Sequence, residues 1–143
     1  MIGMTNASGG SGELNTSSMP IAFIFSTSAN TSSTPQVGTT QGQSYNSEYV
    51  SYSSGEFTFK KACTCTVYGR GTGTRDSSGT LVTLMWNIYK NGRNGTALAG
   101  KNGSGSTSDS ATATFAVGDR VGIYGRCSSG DRCGMTMAVK LPE

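Results

Sequence analysis

The sequence predicts an all-β protein, an antiparallel sandwich of the jelly-roll type, and three observations lead to this fold class. First, about eight short segments alternate between apolar and polar residues or are rich in Val, Ile, Phe, Tyr and Thr, which is typical of strands. Second, Gly, Asn and Asp lie between these segments at fairly regular intervals, where tight turns need them. Third, only 13% of the residues are charged and 21 are Gly, a composition unlike that of helical bundles.

The N-terminal residues 1–18 differ from the rest of the chain. They have no hydrophobic periodicity and are rich in Gly, Ser and Asn, as flexible linkers are. We expect a flexible arm over residues 1–18, followed by one jelly-roll domain over residues 19–143, which is an ordinary domain length. The apolar side chains through which the arm would attach to a partner are Met1, Ile2, Met4 and Leu14.

The first half of the domain contains four predicted strands. The segment 20–26 is compact and apolar, whereas residues 27–44 are polar and predict a loop with room for a short edge strand. Residues 45–52 alternate weakly, and residues 56–60 alternate with a period of two. Residues 62–68 continue in residue types that favour strands.

The second half of the domain carries the strongest strand signal, at residues 81–89. A short return strand is expected at residues 98–99, and an alternating strand at residues 111–117. Two further strands are predicted at residues 120–124 and 135–141, which brings the chain to its C-terminal end.

Turns and loops separate these strands. Asn91-Gly92 is a hairpin signal, and Gly118 permits a tight turn that Asp119 can cap. Residues 69–79 and 101–109 are rich in Gly and polar side chains, so we expect two loops that face outward. Their exposed polar side chains would be Arg70, Arg75, Lys101 and Asn102.

Alternation along the strands also predicts the core between the two sheets, because side chains at every second position face the same way. The expected core residues, with faces uncertain by one register, are Phe23, Phe25, Phe57, Phe59, Val67, Leu84, Trp86, Ile88, Phe115, Val117, Val121, Ile123, Met137, Val139 and Leu141.

The composition excludes several classes of function. The chain has no His, which excludes Ser-His-Asp hydrolases, Cys-His proteases and His-ligated metal enzymes. The 11 Lys and Arg residues are scattered, so we expect no nucleic-acid binding. No apolar segment approaches the ~20 residues of a membrane helix. We therefore expect no membrane insertion, no enzymatic activity, no metal and no cofactor.

Four cysteines form two pairs along the sequence. Cys63 and Cys65 share one face of a predicted strand, ~6.5–7 Å apart along it, which is poor spacing for a disulfide. Cys127 and Cys133 flank a short hairpin-like connection and could face each other there, a geometry that suits a disulfide. Three intrachain connectivities are open, as are bonds between subunits. Four idle or buried thiols are the remaining alternative.

Five motifs occur in a fixed order over residues 20–143. They are Ala22-Phe23, Gly55-Glu-Phe-Thr-Phe59, the segment from Trp86 to Gly92, Phe115-Ala-Val-Gly-Asp-Arg-Val121, and the final strand from Met135 to Leu141. In this order they resemble the complement globular-head and tumour-necrosis-factor-like jelly-roll superfamily. The resemblance implies a tumour-necrosis-factor-like jelly roll without enzymatic activity. The segment between Tyr124 and Met135 is shorter here than in that family, and no collagen-like repeat precedes the domain.

The resemblance also implies a homotrimer, because members of the superfamily pack three jelly rolls about an axis lined by aromatic and aliphatic residues of one sheet. A trimer would suit a chain with a small core, since subunit burial adds stability. The candidate interface residues are Tyr45, Tyr49, Tyr52, Phe57, Phe59 and Tyr124. The alternative for each is that it fills only the core of its own chain.

The N-terminal segment shows no basic region followed by an apolar stretch, so we expect no secretory signal peptide. A surface rich in Ser, Thr, Gly and Asn is nevertheless typical of proteins that act outside cells. The leading hypothesis is a bacteriophage virion protein: a trimeric capsid decoration (cement) protein made in the host cytoplasm, attached to the capsid or another virion protein through residues 1–18.

Two alternatives come from other classes of binding protein. One is the adhesin tip of a head or tail fibre, which would bind a host glycan or protein through its outward loops. The other is a secreted or surface-displayed ligand of the tumour-necrosis-factor-like type. Loop deletion separates the first alternative from cement, and export without lysis would favour the second.

Overall fold

The computed structural model describes residues 20–28, 34–128 and 133–141. These residues form eleven strands, and no helix occurs among them. In chain order the strands are β1 (Ala22–Ser28), β2 (Gln36–Val37), β3 (Thr39–Tyr45), β4 (Val50–Ser53), β5 (Glu56–Phe59), β6 (Cys63–Gly73), β7 (Leu84–Lys90), β8 (Thr96–Gly103), β9 (Gly105–Phe115), β10 (Arg120–Cys127) and β11 (Cys133–Lys140).

The strands form two sheets packed face to face. Sheet A has the order β3-β1-β11-β6-β9, and sheet B has the order β4-β5-β10-β7-β8, with the two-residue β2 paired to β10. All neighbouring strands run antiparallel. The first and last strands are neighbours in sheet A. The predicted all-β antiparallel sandwich is therefore confirmed, and the division into an arm over residues 1–18 and a domain over residues 19–143 stays a prediction.

Side chains from alternate positions of both sheets fill the space between them. The Phe59 ring of sheet B stacks on the Phe115 ring of sheet A, with ring centroids 4.2 Å apart. The largest fully buried side chains are Trp86, Phe57, Phe59, Phe115, Ile24, Leu84, Ile88, Ile123, Met135, Met137, Val50 and Val67. Most of the predicted core is thus confirmed.

The prediction was wrong for three core residues. In β1 the inward positions are Ala22 and Ile24, so Phe23 and Phe25 lie on the opposite face of sheet A. The Phe25 side chain is 42% exposed. Val117 lies beyond the end of β9, in the turn that precedes β10, and is 67% exposed. The first error is a shift by one residue, which moves every side chain of a strand to the other face.

The predicted loop at residues 101–109 is largely strand, and the predicted loop at residues 69–79 is strand in its first five residues. Residues 69–73 continue β6, and residues 101–109 belong to β8 and β9 apart from a tight turn at Ser104. The segment 27–44, predicted as a polar loop with room for a short edge strand, contains β2 and most of β3, which lies at the edge of sheet A. Polar and glycine-rich strand segments carry little hydrophobic signal, which is why the sequence pattern predicted so few strand residues there.

The predicted turns lie where expected. Asn91 and Gly92 both have positive φ, 65° and 84°, and lie in the connection between β7 and β8, whose ends Lys90 and Thr96 pair. Gly118 has a φ of 94°. The Asp119 carboxylate accepts a 2.8 Å hydrogen bond from the backbone N–H of Ala116. That bond, followed by the one from the Asn91 amide, lowers the pKa of Asp119.

Candidate self-association surface

The outer face of sheet A carries a cluster of aromatic side chains. Because Ala22 and Ile24 face the core, Phe23 and Phe25 project outward from β1. Tyr68 projects from β6 on the same face and is 45% exposed. Strand β1 is therefore apolar on both faces, a pattern otherwise typical of strands that are covered on both sides.

The strand register brings these rings into one patch. Phe23 pairs with Ala138 of β11, and Ala138 pairs with Tyr68 of β6, so the three form a row across the centre of the sheet. Phe25 heads the next row and packs beside Gly134, where the ring lies 3.5 Å from the position a Cβ atom would take. We call Phe23, Phe25, Tyr68 and Ala138 the aromatic patch.

Hydroxyl side chains flank the aromatic patch on one side. Thr64 and Thr66 of β6 pair with Thr114 and Thr112 of β9, and each pair has hydroxyl oxygens 3.1 Å apart. These threonines hydrogen-bond to each other and leave a flat, uncharged surface.

Two cations border the patch. The Lys140 ammonium lies 5.5 Å from the centroid of the Tyr68 ring, within the range of a cation–π contact. Arg70, two residues along β6 from Tyr68, faces outward on the same side and is exposed. The patch thus has an apolar centre with positive charge at its margin.

The predicted interface residues lie elsewhere. Tyr45 and Tyr52 pack with the buried Phe57 at one open edge of the sandwich, with ring centroids 5.6 to 6.3 Å apart. The Tyr52 hydroxyl is 2.6 Å from that of Thr40. Phe57 and Phe59 are 0% and 1% exposed within their own chain, so they have no surface to offer a partner and fill the intrachain core.

Tyr49 and Tyr124 are also bound by neighbours in their own chain. The Lys61 ammonium lies 5.0 Å from the centroid of the Tyr49 ring. Tyr124 lies on the outer face of sheet B, 9% exposed, with its ring edge-on to that of Tyr89. The structure therefore does not gather the six predicted residues on one outward face.

An ion pair between Glu56 and Arg120 covers the Tyr124 hydroxyl. That hydroxyl donates a 2.8 Å hydrogen bond to Glu56 Oε2, and Arg120 donates a 2.9 Å hydrogen bond to Glu56 Oε1. Gly122 leaves the space in which the Glu56 side chain lies, because a Cβ atom there would be 2.8 Å from Glu56 Cγ. Burial, and after it the bond to Glu56, raises the pKa of Tyr124 to about 12. This cluster holds β5 to β10 and exposes little of the carboxylate.

The four residues predicted for outward loops are exposed, although most of them are not in loops. Arg70 lies in β6, and Lys101 and Asn102 lie in β8. Arg75 follows β6 and donates a 2.7 Å hydrogen bond to the carbonyl oxygen of Gly79, across a tight turn. Because Arg70, Lys101 and Asn102 belong to hydrogen-bonded strands, they do not form a recognition loop that could adapt to a partner.

The structure brings the two members of each cysteine pair close together. Cys127 Sγ lies 2.7 Å from Cys133 Sγ, and Cys63 Sγ lies 3.4 Å from Cys65 Sγ. Cys63 and Cys65 share a face, as expected, and their side chains lean together. Burial, and then the hydrogen bond with Cys63, raises the pKa of the Cys65 thiol.

Met1, Ile2, Met4 and Leu14, with the predicted arm to which they belong, lie outside the described residues. Within residues 20–28, 34–128 and 133–141, no three His, Cys, Asp or Glu side chains are grouped so that they could hold a metal ion. The same part of the chain has no helix long and apolar enough to cross a membrane.

No protein-family model and no curated protein matches this sequence. Many solved structures are similar in fold, and two of them illustrate the likeness. The globular domain of zebrafish complement 1qA protein is 15% identical, with a TM-score of 0.50, over 87% of this chain and 98% of that one. Rabbit GITRL is 11% identical, with a TM-score of 0.50, over 85% of this chain and 97% of that one.

These likenesses define a class: the chain has the jelly-roll fold shared by complement globular heads and tumour-necrosis-factor-like ligands. The resemblance predicted from the five sequence motifs is confirmed at this level. At 15% and 11% identity the likeness concerns the fold. A role for the chain has to be argued from its own surface.

Proposed function

We propose that this protein is a non-enzymatic, homotrimeric jelly roll that serves as a bacteriophage virion decoration protein. Its subunits contact each other through the outer face of sheet A. The observation that carries the proposal is the aromatic patch, which sits at the centre of a sheet face and not in a loop. Burial of one large apolar side chain contributes about 1.5–3 kcal/mol, and three subunits would bury three copies of the patch.

A second copy of the chain is the occupant that this face fits best. The patch has threonine hydroxyl groups on one side and the cations Lys140 and Arg70 at its margin, so a sheet or sandwich edge with an apolar centre can cover it. The family resemblance implies the same arrangement, with aromatic and aliphatic residues of one sheet lining the axis. This interface replaces the one expected from Tyr45, Tyr49, Tyr52, Phe57, Phe59 and Tyr124.

The proposal of a decoration role rests on the difference between two parts of the chain. The sandwich is a rigid knob with few charges, and residues 1–18 are a separate segment rich in Gly, Ser and Asn. Ordering such a segment on a capsid costs conformational entropy. A trimer offsets that cost, because it presents three segments at once and the second and third bind as intramolecular events.

Light scattering of the purified chain tests the assembly. We expect a mass of three times 14.7 kDa, unchanged when reductant is added, because the aromatic patch needs no covalent bond. A monomer at micromolar concentration under both conditions would overturn the trimer.

Co-sedimentation with particles of the phage whose genome encodes the chain tests the virion role. The trimer should sediment with particles stripped of it, and a variant lacking residues 1–18 should remain a trimer and stay in the supernatant. If the shortened variant still binds, attachment through the arm is wrong. If particles without the protein assemble and endure heating normally but fail to adsorb to host cells, the protein is an adhesin instead.

A further inference from the structure

Two cysteine thiols lie close together at the connection between β10 and β11, where the chain passes from sheet B to sheet A. Cys127 is the final residue of β10 in sheet B, and Cys133 is the first residue of β11 in sheet A. Both side chains are 1% exposed, and their sulfur atoms are 2.7 Å apart. A disulfide bond is ~2.05 Å long, so closing the pair requires a movement of about 0.7 Å. A bond between these thiols would join the two sheets covalently with little change in the structure.

The register excludes the mixed connectivities. Cys133 precedes Gly134, which pairs with Thr72 near the end of β6. Cys65 lies seven residues earlier on β6, which at ~3.3 Å per residue places it roughly 20 Å away along the strand. Cys63 is farther still. Disulfides require Cα atoms less than ~7 Å apart, so neither cysteine of β6 can reach Cys133 without unfolding.

The pair on β6 is the poorer candidate for a bond of its own. Cys63 and Cys65 are two residues apart on one extended strand, so their Cα atoms lie ~6.5–7 Å apart, at the upper limit for a disulfide. Their Sγ atoms are 3.4 Å apart, and Cys65 is 0% exposed. Of the three full pairings that the sequence leaves open, only the one with Cys127–Cys133 is compatible with the fold. Within that pairing the structure favours the Cys127–Cys133 bond alone, with Cys63 and Cys65 left reduced.

We propose that Cys127 and Cys133 are a redox modification site, which a low-molecular-weight disulfide such as oxidised glutathione converts to an intrachain bond between the two sheets. When the end of β10 beside the exposed Ser128 opens locally, the Cys127 thiolate, which is 1% exposed in the closed structure, attacks one glutathione sulfur and releases one glutathione thiolate. The Cys133 thiolate then attacks Cys127 Sγ and releases the second. Two protein thiols lose two electrons and two protons, and one oxidised glutathione becomes two reduced molecules. The proposal is independent of the trimer and of the virion role.

A tryptic digest reads the connectivity directly, because cleavage after Arg126, Arg132 and Lys140 places Cys127 and Cys133 in separate peptides. Cys63 and Cys65 remain together in the peptide 62–70. The full-length protein is equilibrated in glutathione buffers of increasing oxidised fraction, blocked with N-ethylmaleimide and digested. We expect peptides 127–132 and 133–140 as a linked pair, 2 Da lighter than their sum, and peptide 62–70 with two maleimide groups.

Three results of the digest would overturn the proposal. One is full maleimide labelling of both Cys127 and Cys133 in the most oxidising buffer. The second is a link from peptide 62–70 to either of them, and the third is a bond that forms within peptide 62–70 first.

Urea unfolding provides a second readout. A bond that closes a short loop should lower the unfolding equilibrium constant on the order of tenfold or more. We expect this shift on oxidation in the natural sequence and in a Cys63→Ser, Cys65→Ser variant. It should be lost in Cys127→Ser, Cys133→Ser. If that last variant does not fold, the urea midpoints of the natural sequence with and without reductant still test the proposal. Equal midpoints would contradict a bond that joins the sheets.

Discussion

The Trp86 indole N–H donates a 2.8 Å hydrogen bond to the Thr107 hydroxyl, across the space between the sheets. Trp86 belongs to β7 of sheet B and is 0% exposed, whereas Thr107 belongs to β9 at the edge of sheet A. A buried indole N–H needs an acceptor, and the polar strand β9 supplies it. The bond thus ties a largely polar strand at the edge of sheet A to the centre of the core.

Thr107→Val should destabilise the protein by about 1–2 kcal/mol. The substitution keeps the shape of the side chain but leaves the Trp86 N–H without its acceptor, and an unsatisfied buried donor costs that much. Urea unfolding can be followed by the fluorescence of Trp86, since the sequence has a single Trp. Thr96→Val, at an exposed threonine of β8 in sheet B, is the matched control and should change stability by less than about 0.5 kcal/mol. Equal effects of the two substitutions would contradict this role for Thr107.

Gly71→Ala should destabilise by about 1–3 kcal/mol, because it inserts a methyl group into a packed core. A Cβ atom at Gly71 would lie 2.6 Å from Trp86 Nε1 and 2.8 Å from Leu84 Cδ2. Gly42→Ala in β3 is the control, since nothing lies within 4 Å of its Cβ position. If Gly71→Ala is as stable as Gly42→Ala in the same denaturation assay, the Trp86 ring is not fixed against β6.

The same glycines explain what the sequence could predict and what it could not. Apolar side chains at every second position identified β7 and the inward face of β11, because there the core is built from large residues. In β6 the inward positions after Tyr68 are Gly69, Gly71 and Gly73, which are small because Trp86 and the backbone of Val82 occupy the space above them. The segment Gly-Arg-Gly-Thr-Gly does alternate with a period of two, but the residues at its inward positions are glycines and not large apolar residues. A search for apolar alternation therefore predicts a loop.

The surface proposed for self-association was missed for the opposite reason. In the segment from Ile21 to Phe25 every residue is apolar, so alternation cannot tell which face is buried, and the larger rings of Phe23 and Phe25 were assigned to the core. The structure assigns the core face to the smaller Ala22 and Ile24. The continuous apolar run was itself the available signal, since it indicates a strand covered on both faces.

Substitution of the aromatic patch should dissociate the trimer and leave the fold intact. Phe25 and Tyr68 are 42% and 45% exposed in the single chain, so Phe25→Ser with Tyr68→Ser removes little from the core. Each ring would contribute about 1.5–3 kcal/mol per subunit when covered. We expect light scattering to give 14.7 kDa and circular dichroism to be unchanged. Leu81→Ser, which removes an exposed apolar side chain outside sheet A, should remain trimeric. A trimer that survives both patch substitutions would place the interface on another face.

The hydrogen bond from Tyr124 to Glu56 should make stability fall between pH 10 and pH 12. An ordinary Tyr in the unfolded chain ionises near pH 10, whereas burial and the Glu56 carboxylate raise the pKa of Tyr124 to about 12 in the folded protein. Over that window the unfolded chain releases the proton and the folded protein keeps it, so the unfolded state gains stability as the pH rises. The contribution of Tyr124 is therefore complete below pH 10 and is lost by pH 12. We expect the loss to be on the order of 1–2 kcal/mol, since part of the side chain contacts solvent.

Tyr124→Phe isolates this effect from the other groups that titrate in alkali. The variant lacks the ionising hydroxyl, so its free energy of unfolding should decline less than that of the natural sequence from pH 10 to pH 12. Near neutral pH the variant should be less stable by about 1 kcal/mol, because Glu56 loses one donor while its 2.9 Å bond from Arg120 remains. The difference between the two proteins, measured by urea unfolding at intervals across this range, should therefore shrink with rising pH and then disappear. Parallel curves would mean that the proton of Tyr124 is not held by Glu56 in the folded state.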